Sequence, residues 1–122
     1  MNRAEAKIYR RLIEWAAQPE IRKQYPQLKW LYKVNNENAP NPMWGKQNQL
    51  EGVKKGVSDY CLPYPVGKYG ALYVEVKPDG GKPTKEQIEF IDDMNAAGNK
   101  AVFAYGFEET IKIIKEYLDE TL

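Results

Sequence analysis

The segment Ala71–Lys77 constrains the fold more than any other part of the chain. Apolar and polar residues alternate along it, as they do in a β-strand whose successive side chains point to opposite faces. Glu75 and Lys77 therefore share one face of a strand whose other face is apolar. The turn-rich residues 63–70 separate this segment from a second apolar one, Val57–Leu62, so we predict a β-hairpin.

The hairpin register places Asp59 opposite Val74 or Glu75 if the loop is centred near residues 66–67. Directly opposed residues of antiparallel strands have Cβ atoms ~5 Å apart, so two carboxylates and the ammonium of Lys77 would converge on one patch. Two carboxylates so close together repel each other, which raises the pKa of one of them. A bound divalent cation relieves that repulsion, and carboxylate oxygens suit Mg²⁺ or Mn²⁺.

The residue types that are missing narrow the chemistry available to this patch. The 122 residues include no histidine, so the chain lacks the commonest general base and the commonest zinc ligand. A metal ion held by two carboxylates would polarise a phosphoryl oxygen and lower the pKa of a bound water. Lys77 would orient that water or stabilise the charge that gathers on the phosphate. These are the needs of phosphodiester hydrolysis, although Glu75 and Lys77 taken alone are also typical of an ion pair on an exposed sheet face.

Hydrophobic periodicity elsewhere predicts one α/β domain over residues 1–122, with the element order α, β, loop, β, β, α, β, α. Before the hairpin, the predicted elements are a helix from about Arg3 to Ala17 capped by Asn2, a strand at Lys29–Asn35, and a long loop at Asn36–Gly56 with a helical turn near 47–53. After it, they are a helix that Thr84 caps and Gly98 ends, a strand at Lys100–Tyr105, and a helix at about Phe107–Leu118.

The cysteine count and the apolar runs indicate the cellular compartment, and the charge distribution indicates the kind of binding partner. Cys61 is the sole cysteine, which excludes an internal disulfide and suits a reducing compartment. No apolar run approaches the ~20 residues of a membrane helix, and the first residues lack the apolar stretch of a secretion signal, so we expect a cytoplasmic protein. Residues 1–56 hold 11 Lys/Arg and 5 Asp/Glu, whereas residues 84–122 hold 4 and 9. The basic half is suited to a polyanion, and a solvated surface of mixed charge is the alternative.

Three motifs occur in order along the chain: Lys55–Asp59 (Lys-Gly-Val-Ser-Asp), Tyr73–Lys77 (Tyr-Val-Glu-Val-Lys) and Gly81–Gln87 (Gly-Lys-Pro-Thr-Lys-Glu-Gln). Together they resemble the VRR-NUC (virus-type replication-repair nuclease) domain, a family of the PD-(D/E)XK nuclease superfamily. The resemblance covers nearly the whole chain and implies a restriction-endonuclease-like αβββαβ core, in which helices flank a central mixed sheet. Ser58 departs from the family pattern, because a proline usually precedes the motif aspartate. That position shapes the backbone rather than the chemistry.

The resemblance also implies a role for each residue of a metal centre. Asp59 and Glu75 would be metal ligands, and the backbone carbonyl of Val76 would be an additional one. Lys77 would be the catalytic lysine, and Mg²⁺ or Mn²⁺ would be the cofactor.

Two further site residues that the resemblance implies have a structural alternative. Glu5 would be the acidic residue of the first helix that reaches the metal centre, and Gln87 would be the glutamine of the following helix, near the site. Glu5 could instead only cap the first helix, and Gln87 could only complete a capping box with Thr84. For Gln87, the two roles are compatible.

Stand-alone members of the family look like phage proteins, and single-domain members resemble Holliday-junction resolvases that act as homodimers. The expected function is therefore an Mg²⁺- or Mn²⁺-dependent endonuclease that cleaves DNA, above all branched DNA, in the cytoplasm of a host cell. A C₂ dimer would supply one centre for each symmetric strand of a junction. The stretch Asn36–Gly56, with Met43 and Trp44, is the predicted dimer or DNA contact, and core packing is the alternative for Trp44. Other functions consistent with the sequence are a catalytically silent nucleic-acid-binding module on the same fold and a phage protein that binds a host factor.

Overall fold

The computed structural model describes residues 3–35 and 42–122. Its helices are α1 (Arg3–Ala17), α2 (Pro19–Gln24), α3 (Pro42–Leu50), α4 (Lys85–Ala96) and α5 (Gly106–Leu118), and a 3₁₀ helix spans Pro26–Trp30. Its strands are β1 (Tyr32–Lys33), β2 (Tyr60–Leu62), β3 (Leu72–Lys77) and β4 (Lys100–Tyr105). The predicted cap at Asn2 and residues 36–41 of the predicted long loop lie outside the described residues. Within the described ranges, no helix is both long enough and apolar enough to span a bilayer.

The strands form a mixed sheet in the order β1-β2-β3-β4, so the predicted α/β class is confirmed. The pairs β1–β2 and β2–β3 are antiparallel, whereas β3 and β4 are parallel and are joined by α4. The predicted hairpin is also confirmed, because Tyr60 pairs with Val74. In that register Asp59, which directly precedes β2, lies level with Glu75.

The apolar core lies between one face of the sheet and the helices α1 and α5. The buried residues that line it include Leu72, Val74 and Val76 of β3, Leu12 of α1 and Ile114 of α5. On the opposite face of β3, Tyr73 meets Phe90 of α4 edge-on, with 5.4 Å between the ring centroids. Helices therefore cover both faces of the sheet, as predicted.

The predicted strand at Lys29–Asn35 is wrong over most of its length, because β1 contains only two residues. Pro26 begins a 3₁₀ helix in front of it, since the fixed φ and missing N–H of proline favour the first turn of a helix. Leu31 is buried, while its neighbours Trp30 and Tyr32 are 55% and 51% exposed. The alternating pattern that predicted a longer strand therefore arises from one buried residue, Leu31, between two exposed aromatic residues.

Two other boundaries differ from the prediction. The helical turn expected near residues 47–53 is part of α3, which begins earlier, and β2 begins at Tyr60 rather than Val57. The second difference has a steric cause. Gly56 has a φ of +84°, and it lies so close to Glu86 that a Cβ there would overlap the Glu86 carbonyl. The chain before β2 is therefore packed against the start of α4 instead of pairing with β3.

Candidate active site

Asp59 is fixed to both neighbouring strands at the point where β2 begins. Its Oδ2 accepts a hydrogen bond from the backbone N–H of Val76 at 2.8 Å. Its own carbonyl oxygen accepts one from the backbone N–H of Val34 at 2.7 Å, just beyond β1. The hairpin and the edge strand thus hold both the backbone and the carboxylate of Asp59 in place.

Glu75 and Lys77 lie side by side on the face of β3 that points away from the core. They are 4% and 6% exposed, and within the described ranges they are the charged residues that are fully buried. The Lys77 Nζ atom lies 3.9 Å from the Glu75 Oε2 atom. Burying a charge is unfavourable unless it is paired, so this arrangement is costly as a structural device.

The carboxyl group of Glu75 is crowded by negative charge. Burial, and after it the charge of Asp59 and a hydrogen bond to Asp59, raise the pKa of Glu75 to about 9. The nearby charge of Glu5 acts in the same direction, whereas Lys77 lowers the pKa. At neutral pH and without a cation, Glu75 therefore keeps a proton that it shares in the hydrogen bond with Asp59.

Tyr9 of α1 also belongs to this cluster, and sequence reasoning did not identify it. Its hydroxyl group is hydrogen-bonded to Asp59, and its ring meets Tyr60 edge-on at a centroid distance of 5.8 Å. The Lys33 Nζ atom lies 4.9 Å from the centre of the same ring. Burial and the charges of Asp59, Glu5 and Glu75 raise the pKa of Tyr9, so it remains a hydroxyl donor. Its position one helical turn after Glu5 was the available signal.

Glu5 lies near the cluster, but its carboxylate is not in contact range of both Asp59 and Glu75. The residue is partly buried, and its charge raises the pKa values of Tyr9 and Glu75. However, in the part of the chain that the structure describes, no three His, Cys, Asp or Glu side chains are close enough to form a ready-made ligand set. Asp59 and Glu75 are together, and Glu5 acts on them at longer range.

Gln87 is engaged in the predicted capping box. Its Oε1 accepts a hydrogen bond from the backbone N–H of Thr84 at 2.9 Å, and the Thr84 Oγ1 accepts one from the backbone N–H of Gln87 at 3.2 Å. The structural alternative is therefore realised, and the carbonyl oxygen of this side chain is used by the cap. The contact between Gly56 and Glu86 brings the start of α4 against the segment that leads to Asp59.

The chemistry of the donor set fits a hard divalent cation. Asp59 and Glu75 supply carboxylate oxygens, and the carbonyl of Val76 lies between Glu75 and Lys77 in the sequence. Burial, followed by the charge of Asp59, raises the pKa of Glu75 more than the charge of Lys77 lowers it. A cation would displace the shared proton and pair with both carboxylates.

Ser58 is the residue that departs from the family pattern noted above. It is completely buried, and its Oγ atom has no hydrogen-bond partner. An unpartnered buried hydroxyl destabilises the fold by roughly 1–3 kcal/mol. Nothing in the structure gives this hydroxyl a role at the centre.

Comparisons of sequence and of structure with known proteins both lead to the VRR-NUC domain. A sequence profile of the VRR-NUC domain matches residues 4–108. A solved structure described as a VRR_NUC domain protein superposes with a TM-score of 0.81 over 98% of this chain and 91% of that chain, at 23% sequence identity. At that identity the likeness shows a shared fold. No curated protein sequence matches the chain.

Proposed function

The chain belongs to the VRR-NUC domain family, a nuclease-type family that generally uses divalent metal ions, and from this premise we propose that it is an Mg²⁺- or Mn²⁺-dependent endonuclease that cleaves branched DNA. The observation that carries the proposal is the cluster of Asp59, Glu75 and Lys77. Two acidic groups and one ammonium converge there, and two of the three are buried. The cluster provides carboxylate oxygens that can bind a metal ion, and beside them the ammonium group of Lys77.

In this proposal Asp59, Glu75 and the carbonyl of Val76 hold the metal ion. When bound, the ion would polarise a phosphoryl oxygen and lower the pKa of a water molecule. The hydrogen bond from the backbone of Val76 occupies one side of the Asp59 Oδ2 atom, which limits the directions in which that carboxylate can turn. Tyr9 restricts it further by its own hydrogen bond.

Lys77 is the proposed catalytic lysine. Its ammonium is 3.9 Å from Glu75 and almost fully buried. A positive charge fixed in such a site stabilises the charge that develops on the phosphate, and it orients the attacking water. Glu5 is proposed to tune the centre through its charge, and Gln87 to support it from the start of α4.

We propose further that residues 1–122 form a single nuclease domain that works as a homodimer. A four-way junction presents two symmetric strands, and a C₂ pair of protomers would place one centre at each. DNA is the proposed substrate, and junctions are proposed ahead of flaps and duplexes.

The decisive experiment compares cleavage of a four-way junction, a flap and a duplex in the presence of Mg²⁺, Mn²⁺ or a chelator. We expect metal-dependent cutting that is fastest on the junction. Lys77→Ala should slow cutting by roughly 10²–10³-fold, the loss typical of a removed charge-stabilising group, and should leave binding largely unchanged. Lys112→Ala, which changes an exposed lysine of α5, is the matched control.

Because Lys77 is buried, Lys77→Met serves as a second variant that preserves most of the side-chain volume. Binding of all three DNAs with no metal-stimulated cutting would identify a silent nucleic-acid-binding module instead. Cutting that persists in chelator, or in both Lys77 variants, would contradict the proposed centre.

A further inference from the structure

Two large aromatic side chains are exposed at the edge of the sheet, Tyr32 in β1 and Trp30 at the end of the 3₁₀ helix that precedes it. Trp30 and Tyr32 are 55% and 51% exposed, although Leu31 between them is buried in the core. The fold itself needs only Leu31 at this position. Two exposed aromatic residues only two positions apart in the chain make this edge a candidate binding surface.

The strand register places Tyr32 on the same face of the sheet as Glu75 and Lys77. Tyr32 pairs with Cys61, and Cys61 pairs with Tyr73, so the three side chains lie in one row across the sheet. The Cys61 thiol raises the pKa of the Tyr32 hydroxyl, and burial followed by the Cys61 thiol raises the pKa of the Tyr73 hydroxyl, as expected for neighbours on one face. Because side chains alternate along β3, the face that carries Tyr73 also carries Glu75 and Lys77.

The separation between this row and the candidate active site is short. Asp59 and Glu75 lie two residues beyond Cys61 and Tyr73 along their strands, which corresponds to ~7 Å at the usual rise of a β-strand. A nucleotide next to the one bound at Asp59 and Glu75 would therefore reach the ring of Tyr32. Beyond β1, the backbone of Val34 is hydrogen-bonded to Asp59, so the two places belong to one continuous surface.

The chain segment that contains the two rings is basic. Residues 21–35 contain Arg22, Lys23, Lys29 and Lys33, and no Asp or Glu. The Lys29 Nζ atom lies 5.4 Å from the centre of the Trp30 ring. Aromatic rings set among cations are the means by which proteins bind single-stranded nucleic acid, because bases stack on the rings while phosphates pair with the cations.

We propose that Trp30 and Tyr32 form a stacking platform for unpaired bases of the DNA strand that enters the active site. The proposal rests on the proposed nuclease function, and it concerns those branched DNAs that carry unpaired nucleotides, such as flaps. Bases inside a duplex already have both faces covered by their neighbours, so only unpaired nucleotides can occupy the platform. The platform would therefore favour DNA with unpaired nucleotides beside the cleaved phosphate over continuous duplex.

The test is a binding measurement that does not depend on cutting. Fluorescence anisotropy in chelator would compare a duplex with a single-stranded thymidine flap, the same DNA with abasic sites in the flap, and the plain duplex. Each of Trp30→Ala and Tyr32→Ala should weaken binding to the thymidine flap by about tenfold, as expected for a lost base–ring stack, and should leave duplex binding unchanged. The abasic flap should bind the wild-type protein as weakly as the thymidine flap binds the variants.

Matched variants separate stacking from general damage. Trp30→Phe and Tyr32→Phe keep a ring and should retain most of the affinity, while Ile13→Ala removes an exposed apolar side chain of α1 and should have no effect. Unchanged flap binding in both alanine variants, or an equal loss on plain duplex, would overturn the platform. A change of molecular mass in solution that accompanies the loss would assign the rings to an interface between copies of the chain and would also overturn it.

Failure of the platform is distinguishable from failure of the nuclease proposal. A wild-type protein that cuts junctions with Mg²⁺ but whose alanine variants bind the flap normally contradicts the platform alone. A wild-type protein that never cuts, but whose variants lose flap binding as described, contradicts the nuclease proposal alone.

Discussion

Glu75 is 4% exposed, and its carboxyl group faces Asp59, Lys77 and, at longer range, Glu5. In the metal-free protein these surroundings raise its pKa to about 9, far above the ordinary value of 4.5. The folded protein therefore binds a proton more tightly than the unfolded chain does. This difference makes stability depend on pH in a direction opposite to that of an ordinary salt-bridged carboxylate.

The first prediction concerns this pH dependence. Between the unfolded value of 4.5 and the folded value of about 9, the folded state holds the extra proton, so the free energy of unfolding falls as pH rises. The stabilising contribution is complete below 4.5 and is lost as pH rises through about 9. Glu75→Gln removes the titrating group and should be more stable than wild type in chelator at alkaline pH. Thermal unfolding across a pH series measures the effect, and parallel curves for the two proteins would contradict it.

The second prediction concerns Tyr9, whose hydroxyl group restrains Asp59. Tyr9→Phe keeps the ring contact with Tyr60 but removes that restraint. We expect Mn²⁺ affinity, measured by calorimetry, to fall by roughly 10–100-fold, the loss typical of a removed partner of a metal ligand. Tyr25→Phe is the matched control. The Tyr25 hydroxyl lies 3.0 Å from each carboxylate oxygen of Asp119, and this contact is outside the site. Equal Mn²⁺ binding by the two variants would show that Tyr9 has only a packing role.

The proximity of Asp59 and Glu75 could be predicted from the sequence because it depends on two local rules, strand alternation and hairpin register. For Tyr9 the sequence offered only its position one helical turn after Glu5, because its contact with Asp59 depends on how α1 docks against a hairpin some fifty residues away in the chain. The exposure of Trp30 was missed for a similar reason. Alternation shows that two neighbouring residues point to opposite sides, but it does not show which side is covered.

At the scale of elements, the contact between the loop before β2 and the start of α4 determines where Asp59 enters the sheet. Gly56 makes this contact with a positive φ and with no room for a side chain. The predicted strand began too early because its sequence pattern contains no signal for a contact with a helix so distant in the chain. By contrast, Thr84 and Gly98 marked the two ends of α4 correctly, because capping is decided within one helical turn.

The third prediction tests this contact. Gly56→Ala should destabilise the protein by about 1 kcal/mol for the left-handed backbone and by a further ~1–3 kcal/mol for the overlap with the Glu86 carbonyl. Gly52→Ala is the matched control, because Gly52 also has a positive φ, +96°, but nothing lies near its added Cβ. Urea unfolding gives both values. If the two variants lose equal stability, the close approach of the loop to α4 is not a constraint.

The fourth prediction separates the two roles of Gln87. Thr84→Ala and Gln87→Ala each remove half of the capping box and should cost about 1 kcal/mol of stability. If Gln87 also supports the active site, Gln87→Ala should lower the cleavage rate well below that of Thr84→Ala at equal stability. Single-turnover cleavage with Mg²⁺ makes the comparison. Equal rates would leave Gln87 with the cap alone.

At the scale of the whole molecule, charge is divided along the chain. Residues 1–56 hold 11 basic and 5 acidic residues, whereas residues 84–122 hold 4 and 9. The basic portion includes α1, which contributes Tyr9 to the site, and β1, which borders it. Nucleic acid is therefore expected to approach from the side of the N-terminal half.

The fifth prediction follows from this division. Affinity for DNA should fall linearly on a plot of log K against log salt concentration, because bound phosphates release counterions. Arg10→Gln, on the exposed side of α1, should reduce that slope by about one, whereas Lys112→Gln of α5 should not change it. Anisotropy titrations over a range of salt concentrations give the slopes. Identical slopes in the three proteins would place the phosphates elsewhere.

The bonds that hold Asp59 have a consequence for the time at which the candidate site can assemble during synthesis of the chain. Tyr9 leaves the ribosome early, but the backbone N–H that fixes the Asp59 carboxylate belongs to Val76, and Lys77 follows it. A nascent chain that ends before this point has no assembled centre, whatever helices it has already formed. If the proposed function holds, the nascent chain would be unable to cut nucleic acid until its middle strand has emerged, and refolding experiments should recover cutting only after α1 has docked on the hairpin.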